Sequence, residues 1–250
     1  MTDMLSQEEI NALLGGAMGD PDEASDDIGS GEADNLNDML TAEEKDVLGE
    51  LGNISIGTSA TTLFALLGQR VIITTPKVNI VKLKDIGENY EKPCVAIRVD
   101  YTEGIKGTNV LLLNHHDVKV ITSLMMGWGD ENIDTESDLN DMDISAIQEA
   151  MNQMIGSAST SLASLVNTKI DIATPKANVI DFNSQDLLDN LGFDEDFAVA
   201  VEFRMEIGTL VDSNIMQLLP MDFARHMVGV MTSTMMPEEA APPPKPAAAA

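Results

Sequence analysis

Apolar side chains recur with two different periods along this chain, and the whole pattern occurs twice. A helical spacing of three to four residues begins near Thr41 and again near Asp141. Stretches rich in β-branched residues follow each helix and predict strands. The predicted strands are 70–75, 94–101 and 107–113 in the first half, and 169–174, 197–205 and 209–218 in the second. Helical patterns at 115–127 and 221–235 close the halves, so each half predicts an α-β-β-β-α unit.

The two halves are copies of one another. Residues 46–78 align with 145–177 without a gap, at a constant offset of 99 residues. Strands that follow one another directly favour antiparallel hairpins, so the pattern predicts an α+β fold. We expect a single pseudo-two-fold domain over 41–235, with repeats at about 41–128 and 141–235. Its antiparallel sheet should carry the two long repeat helices on one face.

The segments outside this domain have a different composition. Residues 1–44 contain 13 acidic side chains and no Lys or Arg. Few residues in this segment are large and apolar. Such a composition cannot bury enough surface to offset chain entropy, which predicts a flexible acidic tether at 15–40. Residues 129–140 are also acidic and predict a surface connection between the repeats. The Pro/Ala-rich residues 236–250 predict a linker.

Charge and cysteine content exclude several classes of protein. The chain has 250 residues and a formal net charge of −28, which argues against nucleic acid and anionic membranes as partners. No run of 18 apolar residues is present, so the sequence predicts no membrane insertion. A single cysteine, Cys94, cannot form a disulfide framework or a zinc site. It opens a predicted strand, so we expect a small core residue rather than a nucleophile, in a protein of the reducing cytosol.

Four positions in each repeat helix form a polar stripe with the same spacing. They are Asp46, Glu50, Asn53 and Gly57 in the first helix, and Ser145, Glu149, Asn152 and Gly156 in the second. An asparagine cannot act as a base but can orient a water molecule, and a glutamate can pair with a cation. One carboxylate and one amide per helix are too few for a metal site. The alternative is the solvated face of any amphipathic helix, but both copies keep Glu and Asn while their neighbours differ.

These residues resemble a known family. The run Glu50-x-x-Asn53-Ile-x-x-Gly57, with its copy at 149–156, is similar to the CheC/CheX/FliY phosphatases of bacterial chemotaxis. The resemblance implies hydrolysis of the aspartyl phosphate of the response regulator CheY. It implies that Asn53 and Asn152 orient the attacking water and that each motif glutamate pairs with a lysine of CheY. It also implies no cofactor of the chain's own, because the Mg²⁺ belongs to CheY.

The N-terminal residues form a second motif. Residues 1–14 predict a short helix with a Ser6-x-x-Glu9 capping box and one apolar face. The apolar side chains of this face are Leu5, Ile10, Leu13 and Leu14. Such a helix either docks in a partner's groove or packs on its own domain. It resembles the CheY-binding segment of the flagellar switch proteins FliM and FliY, which implies that Ser6 and the apolar residues bind CheY.

The combination of this peptide with two intact motifs is similar to the FliY branch of the family. It implies a cytoplasmic location at the flagellar motor switch, with switch proteins such as FliM and FliG as partners. Members of this branch normally continue past the linker into a FliN-like domain, and this sequence ends at its Pro/Ala residues. Two alternatives remain: a non-enzymatic switch scaffold that binds CheY through the N-terminal peptide, and an adaptor for another chemotaxis protein.

Overall fold

The computed structural model describes residues 39–87, 94–129, 133–182, 187 and 191–235. The helices are α1 (Ala42–Leu67), α2 (Leu83–Ile86), α3 (His115–Met125), α4 (Asp141–Val166) and α5 (Met221–Met235). The strands are β1 (Val71–Ile73), β2 (Lys77–Lys82), β3 (Cys94–Glu103), β4 (Gly107–Leu113), β5 (Asp171–Ile172), β6 (Lys176–Ile180), β7 (Phe197–Ile207) and β8 (Val211–Leu219). The predicted N-terminal peptide, the C-terminal linker and all of the predicted tether before Met39 lie outside the described residues.

Both long helices begin and end on residues that satisfy free backbone groups. Thr41 accepts a hydrogen bond from the Glu44 N–H, and the Glu44 carboxylate accepts one from the Thr41 N–H at 2.8 Å. This reciprocal pair is a capping box. Helix α1 ends at Gly68, whose left-handed φ of 65° suits glycine. Helix α4 uses Asn140 as its N-cap and Asn167, at φ 48°, as its C-cap.

The sheet pairs the strands of one repeat with those of the other. Its order is β1-β7-β8-β4-β3-β5, and β2 also pairs with β7 while β6 also pairs with β3. All of these pairs are antiparallel, which confirms the predicted fold class. The central pair, β4 and β8, contains one strand from each repeat, with Val110 opposite Leu218. The first two strands of each repeat therefore pair with a long strand of the other repeat: β1 and β2 pair with β7, and β5 and β6 pair with β3.

Each repeat contains one strand more than the sequence pattern predicted. The predicted strands 70–75 and 169–174 are shorter in the structure, and β2 and β6 begin just after Pro76 and Pro175. Proline lacks the N–H that a strand needs for its ladder, so the backbone is interrupted there and pairing restarts afterwards. The prediction of three strands per repeat was wrong for this reason. The short helix α2, four residues long, was also not predicted.

The helices and the sheet form two layers, with apolar cores on both faces of the sheet. The larger core contains Leu51 and Leu63 of α1, Ile147 and Met154 of α4, and Phe203 of β7. These residues place both repeat helices on one face of the sheet, as predicted. The opposite face has a smaller core, formed by α2 with Leu187, Leu191 and Phe193 against alternate strand positions. Burying each such Leu, Ile, Met or Phe side chain contributes about 1.5–3 kcal/mol.

Small side chains hold α1 and α4 close together at the centre of the layer. The hydroxyl of Ser59 is fully buried and donates to the Met154 carbonyl at 3.0 Å. Nearer the surface, the hydroxyls of Thr58 and Ser161 lie 2.9 Å apart and share a hydrogen bond. This contact fixes the two helices, and hence the two predicted motifs, in one rigid frame.

Candidate functional site

The two motif glutamates are exposed, and the two motif asparagines are half-buried beside them. In α1, Glu50 lies one helical turn before Asn53, and Glu149 has the same relation to Asn152 in α4. Side chains three residues apart on a helix are neighbours, so each Glu and Asn lie together on one surface. The structure therefore places all four predicted residues in two accessible pairs on the side of the layer away from the sheet.

Burial explains why these polar side chains face outwards. Leu48 and Leu51 in α1, with Ile147 and Met151 in α4, are buried in the core. Glu50 and Glu149 lie on the opposite side of each helix from these core residues, because the helical period sets both faces together. Asp46 and Ser145, the first residues of the motifs, are both exposed. The Ser145 hydroxyl donates to the Asp141 carbonyl at 2.8 Å, one turn earlier in the same helix.

Gly57 and Gly156 have no packing role within the domain. A Cβ atom added at either position would meet nothing within 4 Å. By contrast, a Cβ on Gly52 would lie 2.9 Å from the Phe203 ring, so that glycine lets α1 approach the sheet. A glycine inside a helix costs about 1 kcal/mol relative to alanine. Two open helical glycines at equivalent positions thus leave bare backbone beside each Asn, where another molecule can approach closely.

The two copies differ around their shared residues. Glu149 accepts a hydrogen bond from the Gln153 amide at 2.7 Å, and the equivalent position in α1 is Ile54. Met142 lies two turns before Glu149 on the same face and is 61% exposed. Its counterpart in α1 is the acidic Glu43. The sequence reasoning did not single out Met142, although its spacing of seven residues from Glu149 places it on the motif stripe.

A cleft of about 380 Å³ lies beside the first motif, between α1 and the connection from β1 to β2. Glu50 and Asp46 form part of its wall, and Pro76 and Val78 line the opposite side. Sequence reasoning missed this cleft because its two walls are brought together by the tertiary fold. The available signal was Gly49, which stands where the second repeat has Gln148.

Other candidate chemistry is absent from the described part of the chain. Burial raises the pKa of the Cys94 thiol to about 12, so the reactive thiolate is suppressed, in keeping with the predicted core role. Within the described ranges, no three or more His, Cys, Asp or Glu side chains are grouped so as to hold a metal ion. None of the described helices combines the length and apolar character needed to cross a membrane. The predicted CheY-binding residues, from Leu5 to Leu14, lie outside the description.

A duplicated helix that presents Glu and Asn above a shared antiparallel sheet defines a CheC-like domain, and the chain belongs to the CheC-like family. The family model matches residues 43–80 and 142–179. These two segments are offset by 142 − 43 = 99 residues, which is the offset of the internal repeat. The family predicted from the Glu-x-x-Asn motifs is thereby confirmed.

Individual relatives narrow the placement within the family. The flagellar motor switch phosphatase FliY of Bacillus subtilis is 40% identical over 235 residues, which cover 94% of this chain and 59% of that protein. The crystal structure of Thermotoga maritima FliY is 40% identical, with a TM-score of 0.68, and the match covers 78% of this chain and 98% of that one. The chain thus resembles FliY, as predicted, and spans 59% of the length of the Bacillus relative.

A more distant structure shares the fold alone. A chain in the FliG–FliM complex of Helicobacter pylori is 12% identical, with a TM-score of 0.59. The match covers 76% of this chain and 100% of that chain. The same architecture therefore occurs in a chain of that complex at very low sequence identity.

Proposed function

We propose that this chain is a phosphatase that hydrolyses the aspartyl phosphate of phosphorylated CheY at the flagellar motor switch. The observation that carries the proposal is the pair of accessible Glu/Asn sites on α1 and α4, each with an open glycine one turn further on. The similarity to a relative named flagellar motor switch phosphatase supports it. Each helix would dock its exposed stripe into the phosphorylated site of one CheY molecule.

In the proposed hydrolysis, the main task of the chain is to position the attacking water against the phosphoryl group. A water molecule attacks phosphorus, the bond from phosphorus to the aspartate oxygen breaks, and the water proton leaves with the phosphate. Asn53 and Asn152 cannot take that proton, but their amides both donate and accept, so they can fix the water in line. Glu50 and Glu149 anchor the helix by pairing with a cationic side chain of CheY. Positioning of this kind supplies much of the catalysis of phosphoryl transfer.

The chain needs no cofactor of its own in this proposal. The Mg²⁺ of the reaction is held by CheY, and the chain contributes a helix surface rather than ligands. The proposal also includes location and assembly: a cytoplasmic protein of the motor switch that contacts proteins such as FliM and FliG. The fold shared with a chain of the FliG–FliM complex supports this assembly.

The N-terminal peptide should act in recruitment. We expect deletion of residues 1–14 to raise the KM for phosphorylated CheY several-fold and to leave kcat nearly unchanged. A tethered docking peptide raises the local concentration of its partner without touching the reacting atoms. Steady-state phosphate release at varied CheY concentration measures both constants. A fall in kcat at unchanged KM would contradict the recruitment role.

The open glycines give a prediction in which stability and activity change in opposite directions. Replacing both Gly57 and Gly156 by alanine should raise the free energy of unfolding by about 1 kcal/mol per site, the usual helix-propensity gain. The same change should lower kcat/KM for phosphorylated CheY, because each methyl group stands where the partner approaches. Urea denaturation and phosphate release measure the two effects.

Gly229 provides the matched control for the glycine variants. It lies in α5, is exposed, and would also meet nothing within 4 Å if a Cβ were added. Gly229→Ala should stabilise the domain to a similar extent and keep full activity. Full activity in the Gly57/Gly156 variant would show that the partner does not approach these glycines.

The decisive experiment for the proposed function is the loss of phosphate from CheY after addition of this chain. A phosphatase accelerates that loss at substoichiometric amounts. The competing scaffold would bind phosphorylated CheY and leave its dephosphorylation rate unchanged. An adaptor for another chemotaxis protein would do neither. Only the first result is compatible with the proposal.

A further inference from the structure

The two sites differ at the residue that precedes each motif glutamate. In the second repeat, the Gln148 side chain spans from α4 to β6, where its carbonyl oxygen accepts a hydrogen bond from the Ala177 N–H at 3.2 Å. In the first repeat the equivalent residues are Gly49 and Val78. With no side chain at Gly49, the space that Gln148 crosses in the second repeat is left open in the first.

The resulting cleft combines an apolar wall with acidic groups. Ala42, Pro76 and Val78 supply apolar surface, and the exposed carboxylates of Asp46 and Glu50 stand along the α1 side. Lys45 also lines the cleft, so the wall carries two negative charges and one positive charge. The volume of about 380 Å³ is continuous with the motif surface, because Asp46 and Glu50 belong to both.

We propose that this cleft receives a second basic side chain, an arginine or lysine, from the same CheY molecule whose other cation pairs with Glu50. The inference rests on the proposed function. A long basic side chain fits both features of the cleft, since its aliphatic stem can lie along Pro76 and Val78 while its cationic head meets the Asp46 carboxylate. Glu43 and Glu44, both at the N-terminal end of α1, add further negative charge nearby.

The second site offers no such contact. Gln148 bridges the equivalent space, and Ser145 replaces the carboxylate of Asp46. The exposed Met142 stands where the first site has Glu43, so this surface is more apolar. The first site should therefore bind phosphorylated CheY more tightly than the second at low salt, and lose that advantage as salt screens its charges.

The experiment transfers the second site's own residue into the first. In an Asn152→Ala background, where only the first site retains its Asn, Gly49→Gln should raise the KM for phosphorylated CheY roughly tenfold, as for one charge-assisted hydrogen bond. It should also flatten the increase of KM with sodium chloride concentration. A Cβ at Gly49 would lie 3.7 Å from the nearest atom of Val78, an ordinary contact, so the variant should fold.

The same substitution in an Asn53→Ala background serves as the control. Only the second site retains its Asn there, so any change in KM would report an effect transmitted through the fold. Unchanged KM and salt dependence on adding Gly49→Gln to Asn152→Ala would overturn the cleft proposal while leaving the phosphatase intact. Loss of all activity in Asn152→Ala alone would also overturn it. A wild-type chain that releases no phosphate would instead refute the proposed function.

Discussion

The double variant Asn53→Ala/Asn152→Ala is expected to lose accelerated dephosphorylation of CheY, with kcat falling by about a hundredfold or more. Alanine keeps the helix but removes the amide that we propose holds the attacking water in line. Each single variant should keep a substantial part of the activity, since the other site is intact. Phosphate release from phosphorylated CheY measures all three variants against wild type.

A second pair of asparagines in the chain controls for this experiment. Asn79 and Asn178 are exposed, occupy equivalent positions in β2 and β6, and lie outside the motif helices. Asn79→Ala/Asn178→Ala should retain wild-type turnover and a similar melting temperature. Equal activity in the Asn53/Asn152 double variant and in this control would rule out the proposed roles of the motif asparagines.

The largest effect on stability is expected at a buried ion pair between α3 and α4. The Lys119 ammonium donates to the Asp143 carboxylate at 2.7 Å, and both residues are buried. Asp143 also accepts from the Thr122 hydroxyl and from the Asn140 N–H, the latter closing the capping box of α4. Asp143→Ala would leave a buried ammonium without its partner, so we expect a loss of about 3–5 kcal/mol in the free energy of unfolding.

The first repeat again contains the control. Glu44 occupies the same capping-box position in α1, but it bonds only locally, at the exposed start of the helix. Glu44→Ala should cost about 1 kcal/mol, the usual value for a lost cap. Urea denaturation of both variants gives the comparison. Equal losses in the free energy of unfolding for the two variants would mean that the ion pair with Lys119 contributes no stability beyond that of the cap.

The same carboxylate gives the domain a dependence on pH. Burial by itself would raise the pKa of Asp143, but hydrogen bonds from the Asn140 N–H, Lys119 and Thr122, with the charge of Lys119, outweigh it and hold the pKa below its usual range. A lowered folded-state pKa means that this stabilisation is complete above the unfolded value of about 3.9. It is lost as pH falls through the folded pKa, and the stability difference between wild type and Asp143→Ala should narrow in that range.

The helices and the motif positions could be read from the sequence because their signals are local. Helical periodicity and the 99-residue repeat placed the start of α1 within one residue, and the Glu and Asn positions followed from the alignment of the repeats. β2 and β6 were missed because each is a short strand that directly follows a proline-containing connection. These two strands are recognised only by their pairing with β7 and β3, which the local sequence pattern does not show.

The exchange of strands between the repeats could not be predicted for a different reason. Since the two copies share their apolar pattern, β2 fits the long strand of either repeat equally well by composition. Only the three-dimensional path of the chain decides between β3 and β7. The cleft at Gly49 was missed for the same kind of reason, because Pro76 and Val78 reach it through the turn that leads into β2.

This exchange makes the two sites inseparable during folding. The first repeat supplies the strands that complete the sheet against β7, and the second supplies those that complete it against β3. Half of the chain would therefore lack the outer strands of its own sheet and leave one edge of the central strand β4 or β8 without its partner. The domain should unfold as one cooperative unit, so a destabilising substitution in either repeat removes both sites together. One site alone can be inactivated by replacing its surface side chains, but not by deleting the repeat that contains it.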